Sequence, residues 1–248
     1  MPELRNIKLT LAYDGTDFCG FQRQAQGERT VQSELEKALA RLTGSVPKLI
    51  AAGRTDSGVH AKGQVVNFQT TSRIPPSRWP EALNSCLPPD LVVWQAEEVP
   101  LDFHARYWAK RKTYQYIVSC RRWPDVFLRR YSYHRPGMLD LEAMRSAAKE
   151  LLGECDFRGF AAAGSSVKTT VRHLYRAEVE GCGEEVYFTF QGDGFLYKMV
   201  RNIVGTLLLI GEGKADPQLI VEILTHGERE AAGPTAPPQG LTLLAVEY

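Results

Sequence analysis

The order of apolar and polar positions divides the chain into short alternating stretches and longer stretches of helical period. Residues 4–13 alternate as a half-buried strand does and stop at Asp14-Gly15, a turn pair. Over 30–42 the period changes: Val31, Leu35, Ala38, Leu39 and Leu42 share one helical stripe, and Gly44 suits its stop. Residues 48–52 and 64–68 read as strands flanking a glycine-bearing loop. A short helix over 77–86 ends before Pro88-Pro89, and a further strand follows at 91–96. That order, β-α-β-β-α-β, is the ferredoxin-like arrangement.

The second half repeats it more loosely. A strand at 113–119 and a helix at 139–152, closed by Gly153, precede a hairpin of 173–179 and 185–190 around Gly181-Cys182-Gly183. The strongest helix spans 196–210, where Leu196, Met199, Val200, Ile203, Val204, Leu207 and Leu208 must face a core. A helix near 217–225, a Gly/Pro-rich loop at 233–240 and a strand at 241–246 follow. The expected architecture is therefore α+β, with two ferredoxin-like halves, 1–104 and 105–248, and a cleft where they meet.

Composition narrows the class. The longest apolar stretch, 203–210, is far too short to span a bilayer and is interrupted by Gly205 and Thr206. No signal peptide is expected, because Arg5 and Lys8 lie inside a strand pattern. Five scattered cysteines without a C-x-x-C pair argue against a disulfide framework or a zinc site, and fit a reducing cytoplasm. Charge matters once it is mapped. Residues 104–135 hold nine Lys and Arg against one acid, Asp125, so this segment carries +8 in a chain of net charge +1. Eight of the 24 aromatics share the segment. Cations for phosphates interleaved with rings for bases suit looped or single-stranded RNA. Arg106, Lys110, Arg111 and Lys112 are the candidate contacts; a solvated basic strand pair is the plainer alternative.

The densest unusual stretch is Gly53-Arg54-Thr55-Asp56-Ser57-Gly58-Val59-His60-Ala61. It reads equally as a turn, with Arg54 and His60 incidental surface residues, or as a rigidly held carboxylate that RNA can approach closely. Other chemistry is poorly supported. Gly192-Asp193-Gly194 lacks the third glycine of a dinucleotide fingerprint, since Tyr197 stands there, and Gly213-Lys214 is followed by Ala215 rather than the Ser or Thr of a P-loop. The five histidines show no metal-ligand spacing. Chemistry without metal or cofactor is the expectation.

The segments YDGTDFCGFQRQ, TVQSELEKAL, AGRTDSGVHAKGQVVNF, FHARYWAKRKTYQY, FLYKMVRNIVGTLLLIG and GLTLLAVEY together resemble the tRNA pseudouridine synthase A family over essentially the whole chain. The resemblance implies a pseudouridine-synthase-type fold of two ferredoxin-like halves, a homodimer, no cofactor, and isomerisation of uridines on the 3′ side of the tRNA anticodon stem-loop. Residue by residue, it implies Asp56 as the catalytic aspartate and Arg201 as the arginine that pairs with it. It also implies Tyr114 as the ring that stacks on the target uracil, Arg54 in displacing the target base, and RNA contacts from Gln22 and Arg23. Cys19-Gly20-Phe21 stands where the family often carries a larger aromatic. Alternation puts Tyr116 on the same face as Tyr114, and Arg201 lies off the apolar stripe, where a surface cation could equally sit. A non-catalytic tRNA-binding protein or RNA chaperone is the competing class; it leaves GRTDSGVHA unexplained.

Overall fold

From Arg5 to Val99 the chain runs β1 (Arg5–Tyr13), α1 (Val31–Thr43), β2 (Ile50–Ala51), β3 (His60–Thr70), α2 (Trp79–Asn84) and β4 (Leu91–Val99). The structure, a computed structural model, describes residues 3–25, 27–164 and 167–248. Packing separates two units, one extending to Lys110 and including Leu243–Tyr248, the other Arg111–Thr242.

In the first unit β1 lies antiparallel between β3 and β4, with Ile7 opposite Phe68 and Leu9 opposite Val66. Ile7, Leu9 and Leu11 are fully buried with Val31, Leu35 and Leu39 of α1, the stripe that the helical period marks. Helix α1 starts at a capping box: Thr30 Oγ1 accepts from the Ser33 amide while Ser33 Oγ accepts from the Thr30 amide. It stops at Gly44, whose φ of 74° is the left-handed conformation a C-cap needs. Strand β2 is shorter than its apolar run, because only Ile50 and Ala51 find partners, at Asn67 and Val66. Conversely β3 reaches back to His60 and is covered on both faces. Val65 packs with Ala52, Phe103 and Ala105 on one side, while Val66 and Phe68 are fully buried on the other. Its buried Asn67 is satisfied: Nδ2 donates to Asn6 Oδ1 and Oδ1 accepts from the Ala105 amide.

The second unit contains β5 (Arg111–Ser119), β6 (Tyr133–His134), α3 (Leu141–Lys149), β7 (Gly153–Asp156), β8 (Val171–Cys182), β9 (Glu185–Gly192), α4 (Met199–Gly211) and α5 (Leu219–His226). Its antiparallel strands lie in the order β5-β9-β8-β7, with β6 parallel beside β5, and strand β10 (Leu241–Glu247) follows the last helix. Strands β6 and β7 go beyond the sequence expectation; two and four residues are too short to display a period. The protein is thus mixed α/β with extensive sheet.

Helix α4 departs from expectation in two respects. It begins at Met199, because Lys198 adopts φ 58°, the only positive φ of a non-glycine among the described residues. It is also buried nearly all round rather than along one stripe, so Arg201, Asn202 and Thr206 are covered with the apolar residues. The cover comes from residues 233–237. Gly205 lets the Pro234 carbonyl touch the helix where any Cβ would collide with it, and the Gly233 amide donates to Thr206 Oγ1 at 2.9 Å. Asn202 Oδ1 accepts from Thr235 Oγ1 and from Arg229.

Candidate active site

Asp56 opens a tight turn between β2 and β3. The Val59 amide donates to the Asp56 carbonyl at 3.1 Å, and Gly58 supplies φ +77°. The turn is held by the loop that follows β1. The Phe18 carbonyl accepts from Ser57 Oγ at 3.2 Å and from the Gly58 amide at 3.4 Å, and the Phe21 amide donates to the Thr55 carbonyl at 3.0 Å. Two glycines permit this approach: a Cβ on Gly15 would collide with the Val59 carbonyl, and one on Gly20 would meet the Thr55 carbonyl at 3.0 Å. Beneath the turn, Tyr13 and Thr55 join their hydroxyls at 2.8 Å, and Gln64 Nε2 donates to the Gly53 carbonyl at 3.0 Å. Burial pushes the Tyr13 phenol up to about 12, so it remains a neutral, protonated anchor.

His60 is not the incidental surface residue of the turn reading; it is buried. Its Nδ1 lies 2.9 Å from the Gly15 amide and 3.2 Å from Asp14 Oδ1. One nitrogen cannot accept from Gly15 and donate to Asp14 at once. A backbone amide always donates, so Nδ1 is the acceptor, and His60 pins Gly15 as a neutral imidazole. Asp14 Oδ1 is engaged by the amide and hydroxyl of Thr16. In contrast, Arg54 is exposed and makes no hydrogen bond or ion pair among the described residues, while Asp56 is half-buried. The result is a carboxylate on fixed backbone beside an exposed cation.

The second unit carries Tyr114 and Arg201. Tyr114 is 8% exposed, and its ring meets Phe195 edge-on at 5.1 Å. Tyr116 is fully buried, its hydroxyl donates to the Pro237 carbonyl at 2.7 Å, and Gly240 packs directly on its ring. Burial drives that phenol far above the usual tyrosine range, and so it stays a donor. Packing therefore accounts for Tyr116 as a core residue. Arg201 is not a surface cation: it is 9% exposed, in the first turn of α4. Its Nε donates to the Ala236 carbonyl at 2.7 Å, and its own carbonyl accepts from the Ala236 amide at 3.1 Å. Helix electrostatics oppose a cation at that end, and burial adds a desolvation cost.

The RNA-contact candidates are scattered. Gln22 and Arg23 are exposed next to Phe21; Arg23 also bonds Glu36 at 3.0 Å. Arg106 and Lys110 are exposed, and the guanidinium of Arg111 lies 4.7 Å from the centre of the half-exposed Tyr175 ring. As successive residues of β5, Arg111 and Lys112 point to opposite faces. Periodicity had no means of finding Phe18, Tyr13 or Ala236, because each acts on a residue at least 35 positions away in the chain.

A family model described as tRNA pseudouridine synthase matches residues 10–108 and 147–248. A Moorella thermoacetica protein named tRNA pseudouridine synthase A is 53% identical over 98% of this chain and 99% of its own. One of the same name from Halalkalibacterium halodurans is 51% identical over 96% and 90%. Among solved structures, a Cbf5–Nop10–Gar1 complex aligns with a TM-score of 0.42 at 14% identity, over 96% of this chain and 48% of that one.

Proposed function

The chain belongs to the tRNA pseudouridine synthase family and is an isomerase of tRNA uridine, and from that premise we propose that Asp56 supplies its catalytic carboxylate. Arg201 is the second catalytic residue. Tyr114 receives the target uracil, and Arg54 displaces it from the stack. The reaction breaks the bond from ribose C1′ to N1, turns the ring and joins C1′ to C5; the C5 proton leaves and N1 takes one up. It is redox-neutral, and a carboxylate can act in it as nucleophile or base.

The observation that carries this reading is the Asp56 turn. Three backbone carbonyls, two obligatory glycines and a buried histidine fix four residues whose only half-exposed acid is Asp56. A plain hairpin needs none of that support. Arg201 adds to it, since a buried cation in the first turn of a helix costs stability and calls for a use. Extrusion of the uracil costs a few kcal/mol, and stacking on an aromatic ring returns roughly 1–3 kcal/mol.

The substrate segment we propose is the 3′ side of the anticodon stem-loop, approached by Gln22, Arg23, Arg106, Lys110, Arg111 and Lys112. We read the two units as ferredoxin-like halves, the first bearing the aspartate loop and the second the basic, aromatic RNA-binding segment. The succession β1-α1-β2-β3-α2-β4 with strand order β4-β1-β3-β2 supports this for the first. A homodimer in the cytoplasm follows from the family resemblance; no helix among the described residues is long and apolar enough to cross a membrane. The test is to incubate the protein with unmodified tRNA and map pseudouridine along it. Isomerised uridines confined to that side of the stem-loop are expected; binding without product supports the non-catalytic alternative.

A further inference from the structure

The Asp56 turn hangs largely on Phe18, whose carbonyl accepts from both Ser57 and Gly58. Phe18 itself lies between β1 and α1, where no helix or strand ladder holds the backbone. Its amide donates to the Gly15 carbonyl at 3.1 Å and its ring meets Tyr13 edge-on, and its outer side is braced by a side chain from the far end of the same loop. The guanidinium of Arg29 lies 4.2 Å from the centre of the Phe18 ring, and its Nη1 reaches the Asp17 carbonyl at 3.3 Å. Both terminal nitrogens also bond the Asp90 carboxylate, at 2.8 and 2.7 Å, in the paired geometry that a planar fork allows. The backbone repeats the connection: the Cys19 amide donates to the Arg29 carbonyl, and the Asp14 amide to the Asp90 carbonyl.

We infer that Arg29, clamped by Asp90, is a positioning residue for catalysis: it holds Phe18, and through the Phe18 carbonyl it holds the turn that aims Asp56. This rests on Asp56 being the catalytic carboxylate. A phosphate contact is the other use an arginine could have in an enzyme acting on RNA. Here the guanidinium is already neutralised by Asp90 and lies against a ring, so its geometry is that of a brace. Lysine replaces it only in part, because an ammonium keeps the charge but has neither the fork for both Asp90 oxygens nor a flat face for Phe18.

The test compares wild type with Arg29→Gln, Arg29→Lys and Asp90→Asn in the full chain. Three quantities are read: single-turnover rate at saturating tRNA, tRNA dissociation constant, and hydrogen exchange of the peptide containing Gly58. Arg29→Gln is expected to slow the single-turnover rate by about 10–100-fold, as misplacement of a reacting group does. Its dissociation constant should stay within about threefold, since a lost positioning contact acts on the chemical step. Exchange at Gly58 should accelerate, with Arg29→Lys and Asp90→Asn intermediate in both readouts. An unchanged rate and unchanged exchange overturn the inference, and so does a loss confined to tRNA affinity, which would make Arg29 a phosphate contact. Should Arg29→Gln not fold, the two milder variants carry the same readouts. Asp56→Asn, measured alongside, keeps the two questions apart. Turnover in that variant would refute the role of Asp56, while exchange at Gly58 would still report whether Arg29 holds the turn.

Discussion

Asp56 and Arg201 are held in place by opposite means. The aspartate rides on a four-residue turn outside any helix, fastened by hydrogen bonds to one neighbouring loop, and stays half-exposed. The arginine rides on a thirteen-residue helix covered nearly all round, and it is itself nearly buried. A turn fixed by carbonyls and glycines leaves its carboxylate in reach of a substrate without letting the backbone wander. A helix packed all round fixes a long side chain, whose rotamers would otherwise be free at a cost of up to about 2 kcal/mol of ordering. The two groups should therefore fail differently. Damage near Asp56 should show in rate, whereas around Arg201 damage to the packing of α4 should show in stability and loss of the guanidinium itself in rate.

The largest effect expected from that contrast is at Gly205. Gly205→Ala drives a methyl group into the Pro234 carbonyl and should cost about 3 kcal/mol by overpacking. Denaturant unfolding checks it, and a neutral result would show that residues 233–237 are not seated on α4 as described. Next is Arg201→Met, expected to lower turnover at saturating tRNA by about 10²-fold, a loss of nearly 3 kcal/mol of transition-state stabilisation. The lost hydrogen bond to the Ala236 carbonyl should by itself cost about 1 kcal/mol of stability. Retained turnover with a large loss of stability would reduce Arg201 to a structural residue.

A smaller effect separates Tyr114 from Tyr116. Tyr114→Leu removes a stacking ring and should cost roughly 1–3 kcal/mol in target binding or rate, while Tyr114→Phe stays close to wild type. Equal effects of the two would contradict a stacking role. The smallest effect concerns Lys110, Arg111 and Lys112. Each phosphate contact removed should flatten the slope of log affinity against log salt by ~0.7–0.9, similarly for unrelated tRNAs. With side chains on opposite faces of β5, Arg111→Ala and Lys112→Ala should flatten it unequally. Binding of two tRNAs over a salt series measures this, and identical slopes for the two variants contradict the geometry.

Legibility in the sequence follows the range of the forces involved. The α1 stripe, its Thr30 start and its Gly44 stop are local effects, visible in a helix of thirteen residues and the cap on either side of it. GRTDSGVHA is visible for the same reason, since the turn and its acid lie side by side. The surroundings of Arg201 are not. The cover over Gly205 and Arg201 on α4 arrives with Pro234 and Ala236, from beyond the next helix. Nor could alternation choose between Tyr114 and Tyr116, because the carbonyl that accepts the Tyr116 hydroxyl belongs to Pro237. The burial of His60 is illegible for a like reason: its partner, Gly15, lies in the turn after β1.

If Asp56 carries the isomerisation, Asp56→Asn should abolish it. The change keeps the side chain's shape and removes its charge, so the turn built by Phe18, Gly58 and Val59 should survive. Purified wild type and variant are incubated with unmodified tRNA, the RNA is digested to nucleosides, and tRNA affinity is measured on the same preparations. Pseudouridine is expected from wild type and none above background from the variant, with affinities that agree within about threefold, as for a group acting only on the chemical step. Substantial pseudouridine from Asp56→Asn would contradict that role.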